Sequence, residues 1–165
     1  MKIAILSDSH DNWQNLNKAI KLVNKNKCEI LLFAGDLITP SAIANILEKF
    51  SGKEGHLIFG NNEGEKFGYT KEAEASKKLT LHGDTYEGII DGVKIFMNHY
   101  PRIAELATKS QEFDLCIHGH NHTAHSEKVG TTILLNPGEI AGVKEKPGFA
   151  IFDTKSKKIE FIPLK

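Results

Sequence analysis

Side chains able to hold a metal ion recur at five places along this 165-residue chain: Asp8 with His10, Asp36, Asn61, His99, and His120 with His122. Each follows a short apolar run that reads as a strand, and in open α/β sheets ligands bind beyond the carboxyl ends of the strands. Five loops would therefore deliver these groups to one edge. Taken singly, most have an ordinary explanation. Asp8-Ser9-His10 reads as a turn with a helix cap, Gly35-Asp36 and Gly60-Asn61-Asn62 as turns, and His99 as a capped strand end. Gly119-His120-Asn121-His122 is harder to dismiss, because alternate residues of a tight segment aim two imidazoles into one small volume. Five coincidences of this kind are not expected. Four His, two Asp and one Asn exceed what a single tetrahedral site uses and suit two ions, with one carboxylate spanning both. Mixed imidazole and carboxylate donors favour Mn²⁺, Ni²⁺, Fe²⁺, Zn²⁺ or Co²⁺ over Ca²⁺ or Mg²⁺. Two such ions about 3.5 to 4 Å apart clamp phosphoryl oxygens and acidify a shared water, so hydrolysis of a phosphoester by a metal-bridging hydroxide is the chemistry indicated.

The elements that must position these residues can be read from the apolar pattern. Lys2–Ser7, Ile30–Ala34 and His56–Phe59 are buried strands. Between them, Trp13, Leu16, Ala19, Ile20 and Val23 form a helical stripe capped by Asp11 or Asn12. A second helix starts at Thr39-Pro40 and buries Ile43, Ile46, Leu47 and Phe50. This β-α-β-α-β run implies a parallel sheet with right-handed crossovers. Residues 63–78 read as a loop with a short surface helix over 72–78. Tyr86–Ile90 and Val93–Asn98 flank Asp91-Gly92 as a hairpin. A helix from Pro101 to Lys109 is expected to turn Ile103, Leu106 and Ala107 inward. Leu115–His118 is another strand, and the remainder reads as hairpins about Gly130 and about residues 154–157. The pattern predicts parallel strands first and antiparallel strands later, within one domain over residues 1–165.

Composition narrows the partners. The 21 Lys and Arg balance 21 Asp and Glu with no long basic run, so neither nucleic acid nor an anionic membrane is indicated by charge. A small diester suits the chain better, and a homo-oligomer is left open. Cys28 and Cys116 lack paired spacing and read as reduced core thiols. No secretory leader or run of about 18 apolar residues appears, so a cytoplasmic location is expected. Five of the eight histidines fall between His99 and His125, a surplus that suggests metal binding.

The ordered set Asp8-x-His10, Gly35-Asp36, Gly60-Asn61-x-Glu63, His99 and Gly119-His120-x-His122 resembles the calcineurin-like metallophosphoesterases, in particular their small archaeal and bacterial phosphodiesterases. The match runs from Met1 to about Gly138 and includes the Asn136-Pro137-Gly138-Glu139 turn. The resemblance implies a four-layer α/β/β/α sandwich of two mixed sheets. It also implies that Asp8, His10, Asp36 and His122 hold one ion, that Asp36, Asn61, His99 and His120 hold the other, and that Asp36 is the bridge. Two departures stand out. Asn62 occupies the place where many relatives carry a His that protonates the leaving oxygen or grips the phosphate, and an amide is no acid. His99 is followed by Tyr100-Pro101 where relatives often have Gly and a further His. His118 and His125 lie near the ligand pair, with surface or strand-packing roles the simpler reading. Arg102, the sole arginine, sits three positions past His99, where a guanidinium could clamp a phosphate, although a solvated residue in a first helical turn is the simpler reading.

The leading expectation is a dinuclear, metal-dependent phosphodiesterase with Asp36, Asn62 and Arg102 as catalytic candidates. The alternative is a non-catalytic scaffold resembling the small retromer subunit, which shares this fold but has lost metal-binding residues; the filled ligand positions argue against it. A nucleoside deaminase is disfavoured by the missing His-x-Glu and Pro-Cys-x-x-Cys signature.

Overall fold

The computed structural model describes Met1–Lys165. Its first half alternates β1 (Lys2–Leu6), α1 (Trp13–Lys25), β2 (Ile30–Phe33), α2 (Ser41–Lys49), β3 (Glu54–Leu57), α3 (Lys66–Glu74) and β4 (Leu79–Leu81). A hairpin, β5 (Thr85–Ile90) and β6 (Val93–Asn98), leads to α4 (Pro101–Ser110), β7 (Leu115–Ile117), and the hairpins β8 (His125–Val129) with β9 (Thr132–Asn136) and β10 (Gly148–Asp153) with β11 (Ile159–Pro163). The strands form two sheets, ordered β11-β10-β1-β2-β3-β4 and β5-β6-β7-β9-β8.

Strand alternation explains why there are four layers. Ile3, Ile5, Ile30 and Leu32 point to one side and join Ile95, Met97, Leu115 and Ile117 in a core between the sheets. Ala4, Leu6, Leu31 and Phe33 point to the other and pack on Leu16, Ile20, Ile43 and Ile46 of α1 and α2. A smaller cluster of Phe96, Ala104, Cys116 and Leu134 seats α4 on the outer face of the second sheet. Strands buried on both faces carry continuous apolar runs, which is how β1 and β2 read in the sequence.

Several expectations change. Parallel pairing is not confined to the first half, because β6 pairs parallel with β7 and β7 with β9, so both sheets are mixed as the resemblance implied. β3 starts and ends two residues early, although Ile58 still donates to the Phe33 carbonyl. β4 was not expected; its three residues add to β3 in parallel. α3 begins at Lys66, where the Glu65 side chain accepts from the Gly68 amide. Only Tyr69 and Ala73 of α3 are buried, too thin a stripe to register as amphipathic. α4 keeps Ala107 half-buried against the second sheet as expected, but is rotated so that Ile103 and Leu106 are not turned inward. It buries Ala104 and Thr108, while Ile103 and Leu106 are 43% and 51% exposed. Small residues let the helix lie close to the sheet, and the larger ones are left outside.

Candidate metal centre

The loops after β1, β2, β3, β6 and β7 meet at one edge and are tied to each other through their backbones. Asp8 N–H donates to the Gly35 carbonyl at 3.0 Å, and the N–H groups of Ser9 and His10 both donate to the Asp36 carbonyl. Gly119 N–H donates to His99, and Ala141 N–H to Asp8. Glu63 is buried in the loop after β3 and ties it to the loop after β2, accepting from the amides of Leu37 at 2.9 Å and Gly60 at 2.6 Å. Asp8, His10, Asp36, His120 and His122 all have φ between 44° and 71°. That left-handed region is uncommon for residues with a Cβ, and such strain clusters where side chains must be aimed.

All seven sequence candidates for metal ligation are brought together. Two groups of donors form, Asp8 with His10 and His122, and Asp8 with Asp36 and His99, each with its donor atoms within 4.8 Å of one another. Asp36 Oδ2 lies 3.5 Å from His10 Nε2 and 3.4 Å from His99 Nε2, so it reaches both groups. Asp8 Oδ1 does the same, 3.4 Å from His122 Nε2 and 4.0 Å from His99 Nε2. Asn61 Oδ1 faces His99 Nε2 at 3.0 Å and His120 Nδ1 at 2.8 Å.

The partners behind the histidines set their tautomers. His99 Nδ1–H donates to the Ala34 carbonyl at 2.7 Å, and His122 Nδ1–H donates to the Glu139 carboxylate at 2.8 Å. In the neutral imidazole this leaves the Nε2 lone pair pointing into the cluster. His99 Nε2 then faces the Asn61 oxygen, acceptor against acceptor, and such a contact needs positive charge between its members, from a proton or a metal ion. The donor set of imidazoles, carboxylates and one amide oxygen fits a divalent transition metal.

Glu139, fully buried, carried no assigned role in the sequence. It also accepts from the amides of Val143, Lys144 and Glu145. Burial works against its charge, but these donors and His122 outweigh it and hold the carboxyl below its ordinary value. Burial likewise opposes the Asp36 charge, and His99 together with Asn62 overrides it, keeping that carboxyl well below the usual range. The Asn62 amide N–H and side-chain Nδ2 donate to the two Asp36 oxygens at 2.9 and 2.7 Å. The Asp8 carboxylate, 3.8 Å from His10 Nε2, leads the causes that raise the pKa of His10.

Arg102 is not brought to the cluster: its side chain is 71% exposed and pairs with Glu105 on the same helix at 3.8 Å. His118 is buried with Nδ1 on the Gly119 carbonyl, and His125 is exposed at the start of β8, so neither joins the donors.

Two α/β layers back to back, with acidic and imidazole donors gathered where their strands end, define a metallophosphoesterase-like sandwich. The chain belongs to the calcineurin-like phosphoesterase superfamily, whose domain matches residues 1–157, and so to a family of phosphoester hydrolases. It is 31% identical over 169 residues to a phosphodiesterase of Methanocaldococcus jannaschii, covering 99% of each chain. The solved structure of an archaeal phosphodiesterase superposes with a TM-score of 0.91 at 31% identity, over 99% of this chain and 100% of that one. Vps29 of Entamoeba histolytica in complex with Zn²⁺ shares the fold, with a TM-score of 0.70 at 18% identity over 100% of both chains.

Proposed function

We propose that this chain is a dinuclear phosphodiesterase acting on small phosphodiesters, with Mn²⁺ the favoured metal, and that residues 1–165 work as one domain. The observation that carries the reading is the convergence of lone pairs at one strand edge, with His99 and His122 locked from behind so that Nε2 is free. Asp8, His10, Asp36 and His122 would hold one ion, and Asp36, Asn61, His99 and His120 the other. Bound there, the ion pair would polarise the phosphoryl oxygens and supply a hydroxide nucleophile near neutral pH.

The chain's own residues do the rest. Asp36 would be the bridging carboxylate, and Asn62 grips both of its oxygens, which fixes the plane of that carboxylate. Asn62 brings no acid, so the leaving oxygen departs without a proton from this position. Glu139 keeps His122 in the ligating tautomer. The name of the M. jannaschii relative supports diesters as the substrate class. Free, buried Cys28 and Cys116 suit a reducing compartment, which supports the cytoplasm, and no helix is long and apolar enough to cross a membrane. A purely scaffolding role would leave the strained, locked histidines without a purpose.

The test is metal content together with turnover of bis(4-nitrophenyl) phosphate. Wild type should bind two ions per chain and lose turnover on exhaustive chelation. Asp36→Asn should lose more activity than His10→Ala or Asn61→Ala, with metal lost from both sites. An Asp36→Asn protein that keeps two ions and near-normal rates would overturn the assignment.

A further inference from the structure

Beside His99 the edge opens into a cleft of about 270 Å³ walled by Phe59, Tyr100 and Ile103, with Lys66 and Asp84 at its rim. Sites that enclose a whole ligand run roughly 300 to 1,000 Å³, so this one suits a single arm of a substrate. Its walls combine features that a solvated surface has little reason to hold together. Tyr100 and Ile103, large and apolar, are 42% and 43% exposed. The Tyr100 ring sits 5.6 Å from His99 and 5.1 Å from His120, centroid to centroid, against the metal candidates themselves.

The cleft is also built to stay open. Asn98 is buried and acts as its strut: its oxygen accepts from the Tyr100 amide at 3.0 Å, and its Nδ2 donates to the Asp84 carbonyl at 3.1 Å and to Thr85 Oγ1 at 3.0 Å. Phe59 N–H donates to the Gly83 carbonyl at 2.7 Å, pinning the opposite wall to the same loop. Pro101 opens α4 directly after Tyr100, which restricts the Tyr100 backbone to its extended conformation. Walls held in this way lose little freedom when a ligand arrives.

Resting on the diesterase reading above, we infer that this cleft receives a nucleobase, so that the preferred substrates are phosphodiesters with at least one nucleoside arm. An exposed tyrosine fixed at its backbone offers a π-face for stacking, and stacking tolerates any base. The rim distinguishes a base from a plain hydrocarbon ring. The Lys66 ammonium lies 3.6 Å from Asp84 and 4.5 Å from the Phe59 ring centroid. One donor and one acceptor therefore border an aromatic slot, matching the acceptors and amino groups on the edge of a base. The Tyr100-Pro101 departure after His99 thereby acquires a purpose.

Calorimetric titration of the Mn²⁺-loaded protein with AMP, ribose 5-phosphate and inorganic phosphate tests this, because the first two share the sugar phosphate and only AMP carries a base. AMP should bind wild type at least about tenfold more tightly than ribose 5-phosphate, in line with the stacking of one base. Tyr100→Phe should keep that ratio. Tyr100→Ala should reduce it to about twofold or less, as should Ile103→Asp, which fills the exposed wall with charge. Equal binding of AMP and ribose 5-phosphate by wild type, or a ratio that survives both disruptive variants, overturns the cleft assignment and leaves the metal reading standing. If wild type binds no phosphate and turns over no bis(4-nitrophenyl) phosphate, the metal reading itself falls and the cleft assignment with it.

Discussion

At the residue scale, the site depends on side chains that touch other side chains as much as on the ligands. Glu139 is the clearest case. Glu139→Gln keeps the shape but weakens the acceptor behind His122, and losing such a partner typically costs about 10- to 100-fold in metal affinity. Metal titration monitored by calorimetry should show that loss with the circular dichroism spectrum unchanged; unaltered affinity would mean that His122 needs no orienting partner. Asn62 leads to a second expectation. With no acid at this position, rates should fall steeply as the leaving group becomes more basic, and Asn62→His should flatten that slope by up to ~10² to 10⁴ for alkyl leaving groups. Wild-type rates that are equal for aryl and alkyl diesters, with chemistry limiting, would show that a proton donor is already in place. The seven candidate donors were legible because each carries its chemistry at a strand end. Glu139 was not, since its hold on His122 joins residues from different loops and only the folded chain brings them within 2.8 Å.

At the element scale, the aim of the site comes from how the strands end. Gly60 shows how little room is left: an added Cβ would run into the Asp36 carboxylate and amide. Gly60→Ala should therefore weaken metal binding by at least about tenfold, as the loss of ligand orientation does elsewhere, and equilibrium dialysis would read it directly. α4 offers a different check, because its orientation departs from the hydrophobic pattern. Ala104→Leu should destabilise the chain by about 1–3 kcal/mol by overpacking against the sheet. Leu106→Gln, on the exposed side, should stay within about 0.5 kcal/mol. Urea midpoints would decide, and the reverse ranking would put the helix in its expected orientation. Ile103 and Leu106 misled the reading because hydrophobic residues at helical spacing usually mark the buried face, whereas here Ala104 and Thr108 do. The β-α-β-α-β half was legible from the uninterrupted apolar runs of β1 and β2. α3 and β4 were not, because α3 is anchored mainly by one tyrosine and β4 is three residues long.

At the scale of the molecule, the candidate metal centre sits where both sheets end, so occupancy should be felt by the whole fold. At 100 times the dissociation constant a bound ion adds about 2.7 kcal/mol, which for a chain of this size corresponds to roughly 5–10 °C in Tm. Scanning calorimetry with and without a chelator should show that difference, and an unchanged Tm would mean that the ion does not bind the folded state preferentially. The pairing order of the first sheet bears on biosynthesis as well. β1 lies between β2 and β10, with Lys2 opposite Asp153 and Ile5 opposite Ala150. A nascent chain therefore exposes one whole edge of its first strand until almost the last segment has been translated, on the order of ten seconds after β2 at typical elongation rates. Over that interval the ribosome-bound chain displays Asp8 and His10 beside an unpaired strand edge, the kind of surface that makes incompletely folded chains prone to aggregate.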